Sequence, residues 1–404
     1  MADREIDWLV VRGEPKESPD VHFLVNGARV GECIVLKRRG AAPFLIVGSM
    51  ERDEARASGL EFATWLDYGS AEIAKEALSA LERSKRLYQR ILAKHDVRGR
   101  TSFCGVGRIQ HSLPVITAAL AARSEMRLAE EPDMEATVAA RATKSEAEMA
   151  RMRDVARRTE EVVSDVCAML RGCRVEGGLL RRTDGAPLKV GDVKDRIGLE
   201  LARRRLDDHG QTIFAPGREA GFPHSRGTET DPVPAGKTII FDIFPQEKGG
   251  GYYFDFTRTL WIGPVPDRVR ACFDAVAASF DRAVAAVKLG GRARDADLAA
   301  CDALEERGFV TKRQDPKTQV GYCHGLGHGV GLEIHERPGL NHLESNKDVF
   351  QAGNVFTIEP GVYFPDEEIG VRLEDTFYLR ADGTLEDLAT LPRAPEVLLA
   401  ARRD

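Results

Sequence analysis

Four carboxylates stand inside the most apolar, strand-like runs of the second half of this chain. They are Asp242 in TIIFDIF, Asp255 in YYFDFTRT, Glu359 in VFTIEPGVY and Glu374 in VRLEDT. An ionised acid in an apolar strand is costly unless it is paired, hydrogen-bonded or bound to a metal. A salt bridge or a strand-end position would explain one such acid. Four in one half of the chain need a common explanation, and a divalent cation is the simplest, because it neutralises them at one place. His328, in HGLGHGVGLEIHE, adds an imidazole nitrogen. Four carboxylates and one imidazole are a hard-to-borderline set that suits Mn²⁺, Co²⁺, Fe²⁺ or Zn²⁺ and not a structural thiolate zinc site. Five ligands so rich in carboxylate predict two ions sharing bridging acids, about 3.5–4 Å apart, with an activated water between them.

The acids lie in a segment with a strand-and-turn texture. Thr238–Phe244 and Tyr252–Trp261, joined across Gly249-Gly250-Gly251, predict a hairpin with a long loop. Pro266 then opens a helix whose apolar face is Val269, Phe273, Val276, Phe280, Val284 and Val287. A second helix is expected over Leu298–Arg307, closed by Gly308. Strands are expected over Val320–Glu333, Val355–Tyr363 and Gly370–Leu379. His328 and His335 would face opposite sides of an unbroken strand, so a bend or loop must separate them.

Upstream, Ser145 and Glu148 form an S-x-x-E capping box that starts a helix with Met149, Met152, Ala156, Val163 and Val166 on its apolar face. Another helix is expected over Val193–Leu206, its Arg203-Arg204-Arg205 run a solvated face. Earlier still, Ile6–Val11, Val21–Val25, Cys33–Leu36, Phe44–Val47 and Thr101–Val106 read as strands. Ala71–Ile91 reads as one helix. This first part predicts a small α/β domain without a catalytic cluster. Its His95 and His111 are isolated and read as surface or core residues. A Pro among acids at Ala129–Asp133 marks the boundary, giving domains 1–132 and 133–404.

Length and balance narrow the functional classes. With 404 residues, 43% hydrophobic, the chain is a globular protein of two or three domains rather than a disordered or collagen-like one. A net charge of −6 argues against a general nucleic-acid binder. No apolar run reaches membrane-span length, and the charged N-terminus lacks a signal-peptide core, so no membrane association and a cytoplasmic location are expected. The seven cysteines are odd in number and lack C-x-x-C spacing, which predicts neither a disulfide framework nor a zinc ribbon.

Asp242, Asp255-Phe-Thr-Arg-Thr259, His324-Gly-Leu-Gly-His328-Gly329, His335-Glu-Arg-Pro338, Ile358-Glu-Pro-Gly361 and Val371-Arg-Leu-Glu-Asp375 together resemble the pita-bread dinuclear metallopeptidases. That group includes prolidase, aminopeptidase P and methionine aminopeptidase. The resemblance implies an α+β pita-bread catalytic domain preceded by a smaller α/β creatinase-type domain. It implies a metal-dependent exopeptidase that hydrolyses Xaa-Pro bonds through a hydroxide bridging two divalent metals, Mn²⁺ foremost. Asp242 would bind one ion, His328 and Glu359 the other, and Asp255 and Glu374 would bridge. His224, in FPHSRG, matches a histidine near the substrate. His335 matches one that contacts the substrate and the tetrahedral intermediate, and His324 a further pocket histidine. Glu359 would also shuttle a proton to the leaving nitrogen, and Arg372 would orient Glu374 or an acidic neighbour. Short proline-containing peptides are the implied substrates, and a homodimer the implied assembly.

The chain also departs from that pattern. Asp242 and Asp255 are thirteen residues apart, a slightly longer interval than in many relatives, and Ile-Phe-Pro-Gln-Glu-Lys replaces the usual Gly-containing turn after Asp242. Gly339 stands where many prolidases carry an Arg for a dipeptide carboxylate, so strict dipeptidase specificity is not implied. Two rival readings use the same fold: a metal-dependent lyase or hydrolase of a non-peptide substrate, and a non-catalytic peptide-binding relative. The second normally loses metal ligands, and all five are present here.

Overall fold

Alternation along the first strands sorts their side chains into two cores. Leu9, Val11, Cys33, Val35, Leu45 and Val47 join one cluster. Trp8, Val10, Ile34, Leu36 and Ile46 join another. Successive strand residues point to opposite faces, so this sheet is covered on both sides. In the computed structural model, which describes residues 1–105 and 107–393, the sheet has six strands. Their order is Glu61–Thr64, Pro43–Val47, Cys33–Arg38, Trp8–Gly13, Gly99–Cys104 and Met126–Leu128. The two inner hairpin pairings are antiparallel and the remaining three are parallel.

Two expectations for this region are corrected. Val21–Val25 is not a strand; Pro19–Leu24 is a helix, with Ser18 accepting the Val21 N–H and Pro19 in the first turn. A capping hydroxyl followed by Pro decides a short apolar run whose periodicity alone does not. The single helix expected over Ala71–Ile91 is two, Ser70–Lys75 and Ala80–Lys94, because Ser79 caps a fresh start by accepting the Glu82 N–H at 3.2 Å. The fifth strand ends at Cys104, and Val106, the end of the run expected there, lies outside the described residues.

The chain divides into two compact units between Arg141 and Ala142, nine residues beyond the expected boundary. The helix Ala136–Arg141 explains the shift. Ala136 joins the core of the first sheet, and Arg141 pairs with Asp20 at 3.3 Å.

In the second unit the capping box at Ser145 forms with both of its hydrogen bonds and starts the helix Glu146–Arg171. The next helix is Val190–Arg203, a few residues earlier than expected. Three antiparallel strands follow, Ile213–Pro216, Thr238–Ile243 and Phe256–Trp261, with Asp242 opposite Thr257. A five-stranded sheet runs Glu336–Leu340, Gly327–Gly329, Val355–Ile358, Asp375–Leu379 and Leu385–Asp387. A separate hairpin pairs Gly361–Phe364 with Ile369–Arg372. The two larger sheets meet where Thr257 and Glu374 exchange backbone hydrogen bonds. Helices Asp267–Ala286 and Ala293–Glu305 pack on this assembly through Val276, Phe280, Ala300 and Leu304.

The strand expected over Val320–Glu333 shrinks to Gly327–Gly329, with a register shift between His328 and Gly329. The remaining strand is tightly packed. A Cβ on Gly327 would lie 2.2 Å from the Thr357 carbonyl oxygen, so only glycine lets the strands approach this closely. The likewise expected Val355–Tyr363 and Gly370–Leu379 strands each break in two, at Glu359-Pro360 and at Leu373-Glu374. All seven cysteines are free thiols. No helix among the described residues is long and apolar enough to cross a membrane.

Phe280 is buried between the Asp267–Ala286 helix and Phe377 of the five-stranded sheet. Phe280→Ala is expected to cost about 3–5 kcal/mol through lost contacts and a residual cavity. Urea unfolding followed by circular dichroism checks this, and an unchanged midpoint would contradict the packing.

Candidate metal centre

Several strand ends and breaks in the second unit deliver a chemical group to one cavity. Asp242 lies near the end of Thr238–Ile243, and Asp255 immediately precedes Phe256–Trp261. His328 sits at the register shift of its short strand. Glu359 and Glu374 occupy the breaks that follow Ile358 and Arg372. These five residues, together with His224, His324, His335 and Arg372, line a cavity of about 540 Å³. The structure therefore brings together all nine residues singled out from the sequence.

The histidine protons are set by their partners. A carbonyl oxygen only accepts, so His328 Nδ1 donates to the Gly329 carbonyl at 3.1 Å and leaves a lone pair on Nε2. That Nε2 stands 3.7 Å from Asp255 Oδ2 and 3.5 Å from Glu359 Oε1. Those separations are long for hydrogen bonds. Ligand atoms of Asp255, His328 and Glu374 all lie within 4.8 Å of one another, a spacing that suits a shared cation. Burial lowers the His328 imidazole to about 3, which favours the neutral form that ligates a metal.

The carboxylates have the opposite problem. Burial, then the charges of Asp242 and Glu359, push the Asp255 carboxyl well above its ordinary value. Burial followed by Asp255, Glu359 and Asp242 does the same to Glu374, and burial pushes Glu359 up to about 8. The Oδ1 atom of Asp242 is buried and has no hydrogen-bond partner among the described residues. A buried acceptor without a donor, beside acids that repel one another, fits a site built for cationic charge. The residues present therefore fit a divalent-metal centre.

Arg372 organises the rest. Its guanidinium donates to Asp242 Oδ2, to the Tyr363 hydroxyl at 2.9 Å, to the Pro223 carbonyl at 3.1 Å and to Thr257 Oγ1 at 3.3 Å. It thus orients Asp242 directly and reaches Glu374 only through Thr257, whose hydroxyl donates to Glu374 Oε2 at 2.6 Å. The Tyr363 hydroxyl, holding the Arg372 bond as acceptor, donates to His324 Nε2 at 2.9 Å, because His324 Nδ1 gives its proton to the Gly325 carbonyl at 2.7 Å. His324 is accordingly neutral, its imidazole pushed down to about 3 by burial and then by Arg372 and Lys312. The His335 ring stands edge-on to His328, with centroids 4.3 Å apart. Burial, then His224, lowers the His335 pKa.

Sequence reasoning missed Thr257 and Tyr363. Thr257 stands inside the DFTRT motif, but an uncharged hydroxyl in an apolar run carries no charge-burial cost that marks it. Tyr363 looks like one more aromatic in an apolar strand, and only its hydroxyl contacts reveal it. Arg337 is turned away from the role open beside Gly339: it pairs with Asp348 at 2.8 Å. The cavity wall carries a different arginine, Arg226, together with Gln211 and Tyr253.

The family model of metallopeptidase family M24 matches residues 150–381, more than half of the chain. The chain belongs to this family. Among curated relatives, the Xaa-Pro dipeptidase of Pyrococcus furiosus is 34% identical over 172 residues, 43% of this chain and 45% of that protein. The Xaa-Pro dipeptidase of Lactobacillus delbrueckii subsp. lactis is 30% identical over 200 residues, 48% of this chain and 50% of its own. The matched region thus spans about half the length of these relatives. Two solved structures align over nearly the whole chain. The X-Pro aminopeptidase of Thermotoga maritima superposes with a TM-score of 0.74 at 20% identity, covering 98% of both chains. The prolidase of Pyrococcus furiosus superposes with a TM-score of 0.72 at 22% identity, covering 97% of this chain and 99% of its own. These likenesses establish the fold, a pita-bread domain after a smaller α/β domain of the creatinase type. Membership of the M24 metallopeptidases implies divalent metal, and the convergence of Asp255, His328 and Glu374 is where this chain offers a site.

In metal-free protein, Arg372→Ala leaves the Asp242 carboxylate buried without its cation and is expected to cost about 3–5 kcal/mol. Unfolding in urea with EDTA present measures this. A loss near zero would show that Asp242 does not depend on Arg372.

Proposed function

We propose that this protein is a metal-dependent exopeptidase that hydrolyses Xaa-Pro bonds. The observation that carries the reading is the meeting of four acids, His328 and two further histidines, His224 and His335, around one cavity. Asp242, Asp255, His328, Glu359 and Glu374 would hold two divalent ions, with Mn²⁺ the first choice and Co²⁺, Zn²⁺ or Fe²⁺ compatible with the same donors. When bound, such ions supply Lewis acidity toward a carbonyl oxygen and lower the pKa of water enough to make a nucleophile at neutral pH.

The remaining work falls to the chain's own side chains. His335 donates an N–H toward negative charge developing on the carbonyl oxygen, and His224 assists from the same wall. Glu359 would take the proton lost by the attacking water and pass it to the leaving imide nitrogen. Arg372 orients Asp242 by donating to its Oδ2, while Thr257 orients one oxygen of Glu374. Tyr363 and His324 brace Arg372 from behind.

Within this activity the prolidase type is favoured over aminopeptidase P, because the matched relatives above are Xaa-Pro dipeptidases. Gly339 and the Arg337–Asp348 pair leave the carboxylate-binding residue of a strict dipeptidase unassigned. A homodimer, drawn from the family resemblance alone, and a cytoplasmic location complete the proposal.

Protein stripped with EDTA and reloaded separately with Mn²⁺, Co²⁺ and Zn²⁺ should regain hydrolysis of Ala-Pro, and comparison with Gly-Pro-Xaa tripeptides should give the preferred length. Asp255→Asn and Glu374→Gln should each lower kcat/KM by at least about a hundredfold, the scale of losing a group that binds or orients a metal. No cleavage of either peptide by protein holding two metals per chain would mean a real centre with a non-peptide substrate.

A further inference from the structure

The segment from Lys144 to Glu148 does more than start a helix. Lys144 Nζ lies 2.7 Å from Glu336 Oε2, and both side chains are only 1% exposed. The other oxygen of Glu336 accepts the backbone N–H groups of Leu332 at 3.0 Å and Glu333 at 3.3 Å. Between those amides and Glu336 stands His335. The Glu336 carboxylate therefore ties off both ends of the turn that presents His335 to the cavity, and Lys144 pins its other oxygen.

Gly331, at the start of the turn, shows how tightly it is built. A Cβ there would lie 2.3 Å from Glu336 Oε2 and 2.8 Å from Lys144 Nζ. The Gly331 carbonyl accepts the Tyr253 N–H at 2.8 Å. Its neighbour Tyr252 donates a hydroxyl bond at 2.7 Å to Glu148 Oε1, the acid of the capping box. One five-residue segment thus braces two parts of the wall, His335 and Tyr253, both of which line the cavity.

A buried ion pair is a poor device for stability alone, since well-packed apolar residues often serve as well. An apolar pair could not accept two amide protons and hold a turn in one conformation. We infer that Lys144 is a positioning residue for His335, acting through Glu336 to set the His335 ring against His328. Its consequence for catalysis rests on the proposed peptidase function; its effect on the turn does not.

Lys144→Met in the full-length protein tests this with two readouts. Hydrogen exchange of peptides covering 330–337 should quicken at least about tenfold, while peptides within 267–286 stay within about twofold. With Mn²⁺ and Ala-Pro, kcat should fall at least about tenfold with KM changed less than about threefold, and in a His335→Ala background the same substitution should cost less than about twofold. Glu336→Gln, which keeps an acceptor but removes the charge, takes its place in the same cycle if K144M does not accumulate folded. Unchanged exchange over 330–337 overturns the inference. So does an equal loss of kcat in both backgrounds, which is what a general structural defect produces. If the metal-loaded wild type cleaves no prolyl peptide, the proposed function falls, and exchange alone decides whether Lys144 holds the turn.

Discussion

Mutual repulsion among buried carboxylates is the constraint on which the second unit turns. Asp242, Asp255, Glu359 and Glu374 come from separate stretches of chain and line one cavity. Each would rather be in water or apart from the others. The fold answers with positive charge and donated protons placed around the cluster. Arg372 binds Asp242, Thr257 binds Glu374, and the Phe256 N–H caps Asp255 Oδ1 at 3.0 Å. What the chain does not itself neutralise is left for metal.

That arrangement needs strands that stop in the right places. The acids sit at strand ends and breaks, where a side chain can leave the plane of the sheet and face the cavity. The junction of the two larger sheets is held by Arg258, whose guanidinium donates to the carbonyls of Thr257 and Glu374 and pairs with Asp375 at 2.8 Å. Both Arg258 and Asp375 are buried. They belong to the DFTRT and VRLED motifs, and their contribution is to fix the backbone from which Asp255 and Glu374 project.

Much of this was legible in one sequence, for identifiable reasons. Charged residues in apolar runs announce a cost that something must offset, so the four acids that line the cavity stand out in the sequence. The helix after Ser145 and the helix after Pro266 carry both a period and a start signal. Where only one of the two signals is strong, the element is ambiguous. Val21–Val25 is too short for its periodicity to decide, and it is the Ser18-Pro19 start that makes it helical. The capping box at Ser145 is legible as a local device. Its Lys144 neighbour reaches Glu336 nearly two hundred residues away, and no local pattern carries such a contact.

By itself, then, the sequence determined which residue types meet, because the cost of burying charge is a property of the side chain and its apolar neighbours. It also determined that helices begin after Ser145 and after Pro266, because capping and periodicity act within a few residues. Only the tertiary structure decided the direction of each hydrogen bond: Arg372 to Asp242 rather than to Glu374, Tyr363 to His324, and Lys144 to Glu336. It also decided that Arg337 serves Asp348 and not the cavity. Such choices depend on distances between strands far apart in the chain, and those distances exist only once the sheets have closed around the site.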